Sequence, residues 1–162
     1  YAKPTFVADL LQFFTRQASL NGLITTLLRP RRRFNWWVAQ VTDLNTNEVQ
    51  EVMRYSRDMP LIEGAHRDPK RAYTHKALNA AIQGSAADIM KKAMVDCYEA
   101  GLPIPLLTVH DELDFSSRDL KAMKEVKYIM EHCVDHLLTS GMPITCDHEI
   151  GPNWGELRKL AA

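Results

Sequence analysis

Between residues 68 and 100, Leu78, Ile82, Ala86, Ile89, Ala93 and Cys97 recur every three or four positions, with no proline before Pro103. No other stretch constrains the fold as strongly, because this spacing lays one apolar stripe along a helix and nothing interrupts it. A long helix from about Asp68 to Ala100 is expected. Gly101 would stop it, since a residue without Cβ suits the left-handed position that ends a helix.

The flanking segments read as a mixture. Residues 5–19 place Phe6, Leu10, Phe13 and Phe14 near helical spacing, and Asn21-Gly22 supplies a stop, so a first helix is expected there. The apolar, β-branched LITTLL (23–28) reads as a strand that pairs with NWWVAQVTDL (35–44) across a loop carrying Arg29, Arg31, Arg32 and Arg33. Residues 45–70 show no sustained period and read as connection, with a short helix near 48–55. After the long helix come a strand over 105–109, a carboxylate-bearing turn and a short strand through Phe115. Ser116 or Ser117 then caps a helix whose stripe is Leu120, Met123, Val126, Met130, Cys133 and Leu137, ended by Gly141, and PITCDHEI (143–150) reads as a last strand. The order helix, hairpin, long helix, hairpin, helix, strand predicts an α+β fold with helices laid on a small antiparallel sheet.

At 162 residues and 46% hydrophobic, the chain has material for one domain with a core. No apolar run approaches the ~20 residues of a membrane span, and no signal-peptide pattern opens the chain, so a soluble intracellular location is expected. A first residue of Tyr1 rather than Met suggests a processed product or a piece of something longer. Cys97, Cys133 and Cys146 are widely spaced and odd in number, and read as small apolar side chains rather than a disulfide framework or zinc site. Net charge is zero but polarised: residues 1–76 carry 12 basic and 7 acidic side chains, and residues 77–162 carry 8 and 13. Such a dipole suits a basic surface for a polyanion and an acidic site for cations, although a solvated face would look the same.

The residues PLLTVHDELDFS (105–116) pose a physical problem. Read as one strand, they put Leu107, Val109, Asp111, Leu113 and Phe115 on a single face, which buries an ionised carboxylate. Either the chain reverses at His110-Asp111 or a cation neutralises the charge, and both can hold at once. A tip bearing Asp111 and Glu112 offers hard oxygen ligands suited to Mg²⁺, and equally it can be a plain polar turn. On the long helix Asn79 and Gln83 stand four residues apart beside Ala80, Gly84 and Ala87. Two amides among small neighbours can bond to minor-groove acceptors of a nucleic acid, or simply lie exposed on a helix that packs through Ala and Gly. Trp36 and Trp37, adjacent on a strand, point to opposite faces and read as packing residues.

Taken in order, THKALNAAIQGSAADIMKKAM (74–94), LLTVHDELDFS (106–116) and GPNWGEL (151–157) resemble the C-terminal palm region of family A (Pol I-like) DNA polymerases, particularly phage replicative ones. They match the long palm helix, motif C and the closing segment, and the likeness is close over residues 70–158. QASLNGLITTLLRPRRRF (17–34) is similar to the family's Arg-rich hairpin, with Pro30 where glycine is usual. The resemblance implies a palm-type antiparallel sheet, incomplete without the rest of the polymerase, in a single segment 1–162 made of a basic hairpin and connection (1–69) and a motif C core (70–162). It implies that Asp111 is a metal-binding aspartate of a two-Mg²⁺ site with Glu112 supporting it, and that His110 touches the primer terminus. Asn79 and Gln83 would follow the minor groove of the primer-template. His75 stands where many relatives have Arg, as a DNA-contact position, and Arg31, Arg32 and Arg33 would meet phosphates or pair with acids elsewhere in the polymerase.

The family's other catalytic aspartate, in motif A, and its triphosphate-gripping fingers helix have no counterpart in this sequence. One metal-binding aspartate cannot hold two ions, so the chain alone is expected not to extend primers. Two readings follow. In one, a complementing polypeptide of a divided polymerase brings the missing parts, with primer-template DNA and deoxynucleoside triphosphates as substrates in the host cytoplasm. In the other, the chain is a non-catalytic duplex-binding module, against which the retained carboxylates argue, since acids gain nothing facing a polyanion.

Overall fold

A computed structural model describes residues 5–42, 46–55, 69–138 and 141–160. It divides into two compact units, Tyr1–Ser85 and Ala86–Ala162, and the long helix contributes to both.

The first unit opens with helix α1, Thr5–Asn21. Its inner face supplies Phe14 and buried Ala18, while Phe6 and Phe13 stay exposed. Gly22, left-handed at φ 66°, ends it, and the chain passes into strand β1, Leu23–Thr25. The partner of β1 is strand β2, Arg31–Arg33, in antiparallel register Leu23 with Arg33 and Thr25 with Arg31. This corrects the expected pairing of 23–28 with 35–44. The reversal happens sooner because a turn closes within residues 26–30: Thr26 N–H donates to Pro30 O and Arg29 N–H to Thr26 O, each at 3.0 Å, with Arg29 left-handed at φ 72°. Arg31, Arg32 and Arg33 are therefore strand residues, and Arg29 is the arginine of the loop.

Strand β3, Trp36–Thr42, pairs instead with β4, Val49–Tyr55, and with the two-residue β5, Lys70–Arg71. The short helix expected near 48–55 is thus a strand. Helical pattern and strand alternation are hard to tell apart over so few residues, and cross-strand pairs such as Trp36 edge-on to Tyr55, with ring centroids 5.1 Å apart, decide for the strand. A 3₁₀ turn, Thr74–Lys76, leads into α2, Ala77–Glu99, which begins later than the periodicity suggested because β5 and left-handed Tyr73 (φ 62°) occupy the approach. Asp68 lies outside the described residues.

The core of this unit gathers Ala18, Ile24, Phe34, Ala77 and Ala81, with Phe14 and Ala80 against it. Small residues on α2 let the β1–β2 turn lie close. A Cβ at Gly84 would stand 2.5 Å from Thr26 Cγ2, and Ser85 Oγ accepts from Leu27 N at 3.0 Å while donating to Ala81 O at 2.7 Å.

The second unit takes the rest of α2, hairpin strands β6, Leu107–Val109, and β7, Glu112–Asp114, and helix α3, Leu120–His132. Asp119, rather than the expected Ser116 or Ser117, caps α3: its Oδ1 accepts from Lys121 N at 2.9 Å and Ala122 N at 3.1 Å, an arrangement worth about 1 kcal/mol. The stripe of α3 continues past His132 into a 3₁₀ turn, Asp135–Leu137, so Cys133 and Val134 are buried although the α-helix has ended. Cys133 Sγ lies 3.9 Å from Ile89 O of α2. The expected last strand shrinks to β8, Glu149–Ile150, paired with β9, Arg158–Lys159.

The fold is α+β and its pairings are antiparallel, but among the described residues the strands form four small sheets rather than one. No described helix is long and apolar enough to cross a membrane.

The contact at Gly84 yields a test. Helix propensity alone favours Gly84→Ala by about 1 kcal/mol, whereas crowding a packed methyl costs roughly 1–3 kcal/mol. Crowding wins here, so Gly84→Ala lowers the urea midpoint. In a Thr26→Ser background, which lacks the methyl, the same change raises it.

Candidate functional site

The answer to the buried-carboxylate problem is reversal. Val109 and Glu112 are paired across the hairpin, so His110 and Asp111 form a two-residue loop, and Leu106 N–H donates to Asp114 O at 2.8 Å. Asp111 and Glu112 both stand exposed in solvent, while Leu113 and Phe115 turn half inward. His110 is left-handed at φ 55°, a position of two-residue hairpin loops that glycine or asparagine usually fills. Aiming the adjacent carboxylates outward thus requires an uncommon backbone at histidine.

The tip borders an open cavity of about 910 Å³, lined among others by Asp111, Glu112, Met123, Met130, Cys146 and Trp154. One wall is held by Glu131, whose carboxylate accepts from Cys146 N at 2.9 Å and lies 3.3 Å from the Lys127 ammonium. The backbone hydrogen bond, and then Lys127, draw the Glu131 pKa below its ordinary value. Burial raises the Cys146 thiol, and the charges of Glu131 and Asp111 add to the rise. Cys97 and Cys133 are raised for the same first reason, burial, so all three thiols stay protonated, in keeping with their reading as small apolar residues.

Two carboxylates on one tip can supply oxygen ligands to a hard cation, but a closed site needs more. Among the described residues no group of three or more His, Cys, Asp or Glu side chains could hold a metal ion.

The other predicted site residues belong to the first unit. His75 lies in the 3₁₀ turn, and Asn79 and Gln83 follow on α2; all three are exposed. Two residues along a helix is about 200° of rotation, so the amides point away from the inward stripe of Ala77, Ala81 and Gly84. The small neighbours therefore serve two ends: Gly84 admits the chain's own turn, while Ala87 remains exposed beside the amides. Arg31, Arg32 and Arg33 are all exposed, but neighbouring strand residues alternate, so Arg32 faces opposite to the other two. Asp88 escaped the sequence reading. It is 5% exposed and held by an interaction within the chain, and a single acid beside an apolar stripe gave no signal of that.

Known proteins resemble the chain over most of its length. The family model described as DNA polymerase family A matches residues 5–156. A DNA-directed DNA polymerase of Pseudomonas phage M6 is 47% identical over 89 residues, 55% of this chain and 13% of that protein. DNA polymerase I of Synechocystis sp. is 30% identical over 158 residues, 94% of this chain and 15% of that protein. DNA polymerase I of Bacillus subtilis is 33% identical over 149 residues, 86% of this chain and 13% of that protein. The chain thus spans 13 to 15% of the length of these relatives. No solved structure matches it significantly.

Two outcomes check the local geometry. His110→Gly keeps the hairpin and its stability, whereas His110→Val, whose branched side chain resists positive φ, costs about 1–3 kcal/mol in thermal unfolding. Glu131 titrates below the ordinary glutamate value of 4.5, so its stabilisation is complete above that pH and is lost as pH falls through its lower folded pKa. Urea midpoints measured across this acid range fall less steeply for Glu131→Gln than for the unaltered chain.

Proposed function

This chain belongs to DNA polymerase family A, and on that premise we propose that it supplies motif C and its flanking DNA-contact surface to the nucleotidyl-transfer site of a DNA-directed DNA polymerase, of phage type. The observation that carries the reading is the reversal at His110-Asp111, which puts adjacent carboxylates on an exposed, hydrogen-bonded tip.

In this reading residues 1–162 form one palm segment, with the basic hairpin and connection in 1–69 and the motif C core in 70–162. Asp111 is the metal-binding aspartate and Glu112 its supporting acid. Both fit Mg²⁺ in chemistry, as hard, solvated oxygen donors that leave room for water and phosphate ligands. When bound, the ions neutralise the triphosphate and favour ionisation of the primer 3′-hydroxyl. The chain's own residues position: His110 meets the primer terminus, and Asn79 and Gln83 donate to minor-groove acceptors that every base pair presents, so grip does not depend on sequence. His75 extends that line, and Arg31, Arg32 and Arg33 neutralise backbone phosphates on both faces of β2.

The second metal-binding aspartate and the fingers come from outside residues 1–162, in another part of the same polymerase or in a complementing polypeptide. The site works in the cytoplasm, that of the host for a phage enzyme.

In the polymerase that contains this chain, Asp111→Asn lowers primer extension by at least about 10²-fold while primer-template binding persists. The 162-residue chain by itself extends no primer. Full extension by the Asp111→Asn polymerase would sink the assignment of motif C. Extension by the isolated chain, abolished by Asp111→Ala, would sink the need for an outside aspartate.

A further inference from the structure

One cation in the first unit differs from the exposed arginines of β2. Arg71, on the two-residue strand β5, is half-buried, and its guanidinium meets three separate parts of the chain. Its Nη1 donates to Phe34 O at 3.1 Å, in the link between β2 and β3. Its Cζ sits 4.3 Å from the centroid of the Trp37 ring on β3. On its other side it presses on Gly22, where a Cβ would collide with Cζ and both terminal nitrogens. Gly22 in turn donates to Ala18 O at 3.0 Å and accepts from Phe34 N at 2.8 Å, so the guanidinium lies where α1 ends and β1 begins. Arg71 Nε is buried and finds no hydrogen-bond partner among the described residues.

Such a group is committed inward. A planar cation between an aromatic face and a glycine, with one donor spent on a carbonyl, is poorly placed to meet a phosphate. What it does hold is the approach to α2. Among the described residues strand β5 has only two ladder partners, Trp37 and Val38, and the chain then turns through left-handed Tyr73 and a 3₁₀ turn before Ala77. Arg71 precedes His75 by four residues and Asn79 by eight. A shift at Arg71 therefore moves the start of the helix whose exposed face carries the amides.

We propose that Arg71 is a positioning residue for DNA binding, a flat clamp that fixes the start of α2 and thereby the placement of His75, Asn79 and Gln83. The inference rests on the proposed role of those residues at the minor groove. Lysine keeps the charge but cannot fill the slot between Gly22 and Trp37 as a plane, so charge alone does not restore the clamp.

The test uses the polymerase containing this chain, with primer-template Kd measured by fluorescence anisotropy over a salt series and the single-turnover rate measured at saturating DNA. Arg71→Lys raises Kd about tenfold, the scale of one lost charge-assisted hydrogen bond, with an unchanged salt slope and a single-turnover rate within about threefold. In an Asn79→Ala/Gln83→Ala background the same change adds little, because it acts through those amides. Trp37→Leu, which removes the stacking face, behaves like Arg71→Lys and serves if the latter fails to fold. Full binding by Arg71→Lys, with Arg71→Met flattening the salt slope, would show a direct phosphate contact and overturn the clamp. So would a full tenfold loss in the amide-free background. If Asn79→Ala/Gln83→Ala itself leaves Kd unchanged, the minor-groove reading falls and takes the clamp with it, an outcome distinct from failure of the clamp alone.

Discussion

The first unit depends on how closely backbone can approach α2. Ala77, Ala81, Gly84 and Ser85 recur down one side of the helix, and none carries more than two heavy side-chain atoms. Ile24 and Phe34 reach Ala77 and Ala81, and the β1–β2 turn settles on Gly84 and Ser85. Packing energy scales with atoms in contact, so a flat wall of small residues gains by letting whole segments lie against it. Over the first turns of the helix the opposite side, with Asn79 and Gln83, is exposed. That division, with structure inside and amides outside, allows the helix to be a fixed element and a contact surface together.

The second unit solves a different problem with a similar economy. Two adjacent carboxylates must stay solvated, yet their neighbours Leu113 and Phe115 belong half in the core. A two-residue loop is the shortest device that separates these demands. It leaves Leu107 and Val109 of β6 substantially exposed, at 41% and 43%. Among the described residues strand β6 pairs only with β7.

How much of this was legible follows from how local each determinant is. The long helix was readable because six apolar residues keep one period over twenty positions, and the reversal at His110-Asp111 because burying Asp111 would cost too much. The pairing of β1 was not, since LITTLL fits either partner by pattern. The choice lies in turn hydrogen bonds around Arg29 and Pro30 that no periodicity encodes. Residues 49–55 misled for a related reason: their identity as a strand depends on pairing with Trp36–Thr42, which joins them only in the folded sheet. Residue types singled out Asp111, Glu112, Asn79 and Gln83 as candidates but not Arg71, whose neighbours in space are far from it in sequence.

The meeting of Gly84 with Thr26 also constrains the order in which this sequence can change. A side chain at position 84 is crowded while the Thr26 methyl is present, and becomes admissible once position 26 has shed it. The loss at position 26 is then a permissive step for change at position 84. Two residues on different elements, 58 positions apart, therefore drift as a pair, and sequences on either side of that step inherit different sets of tolerated neighbours.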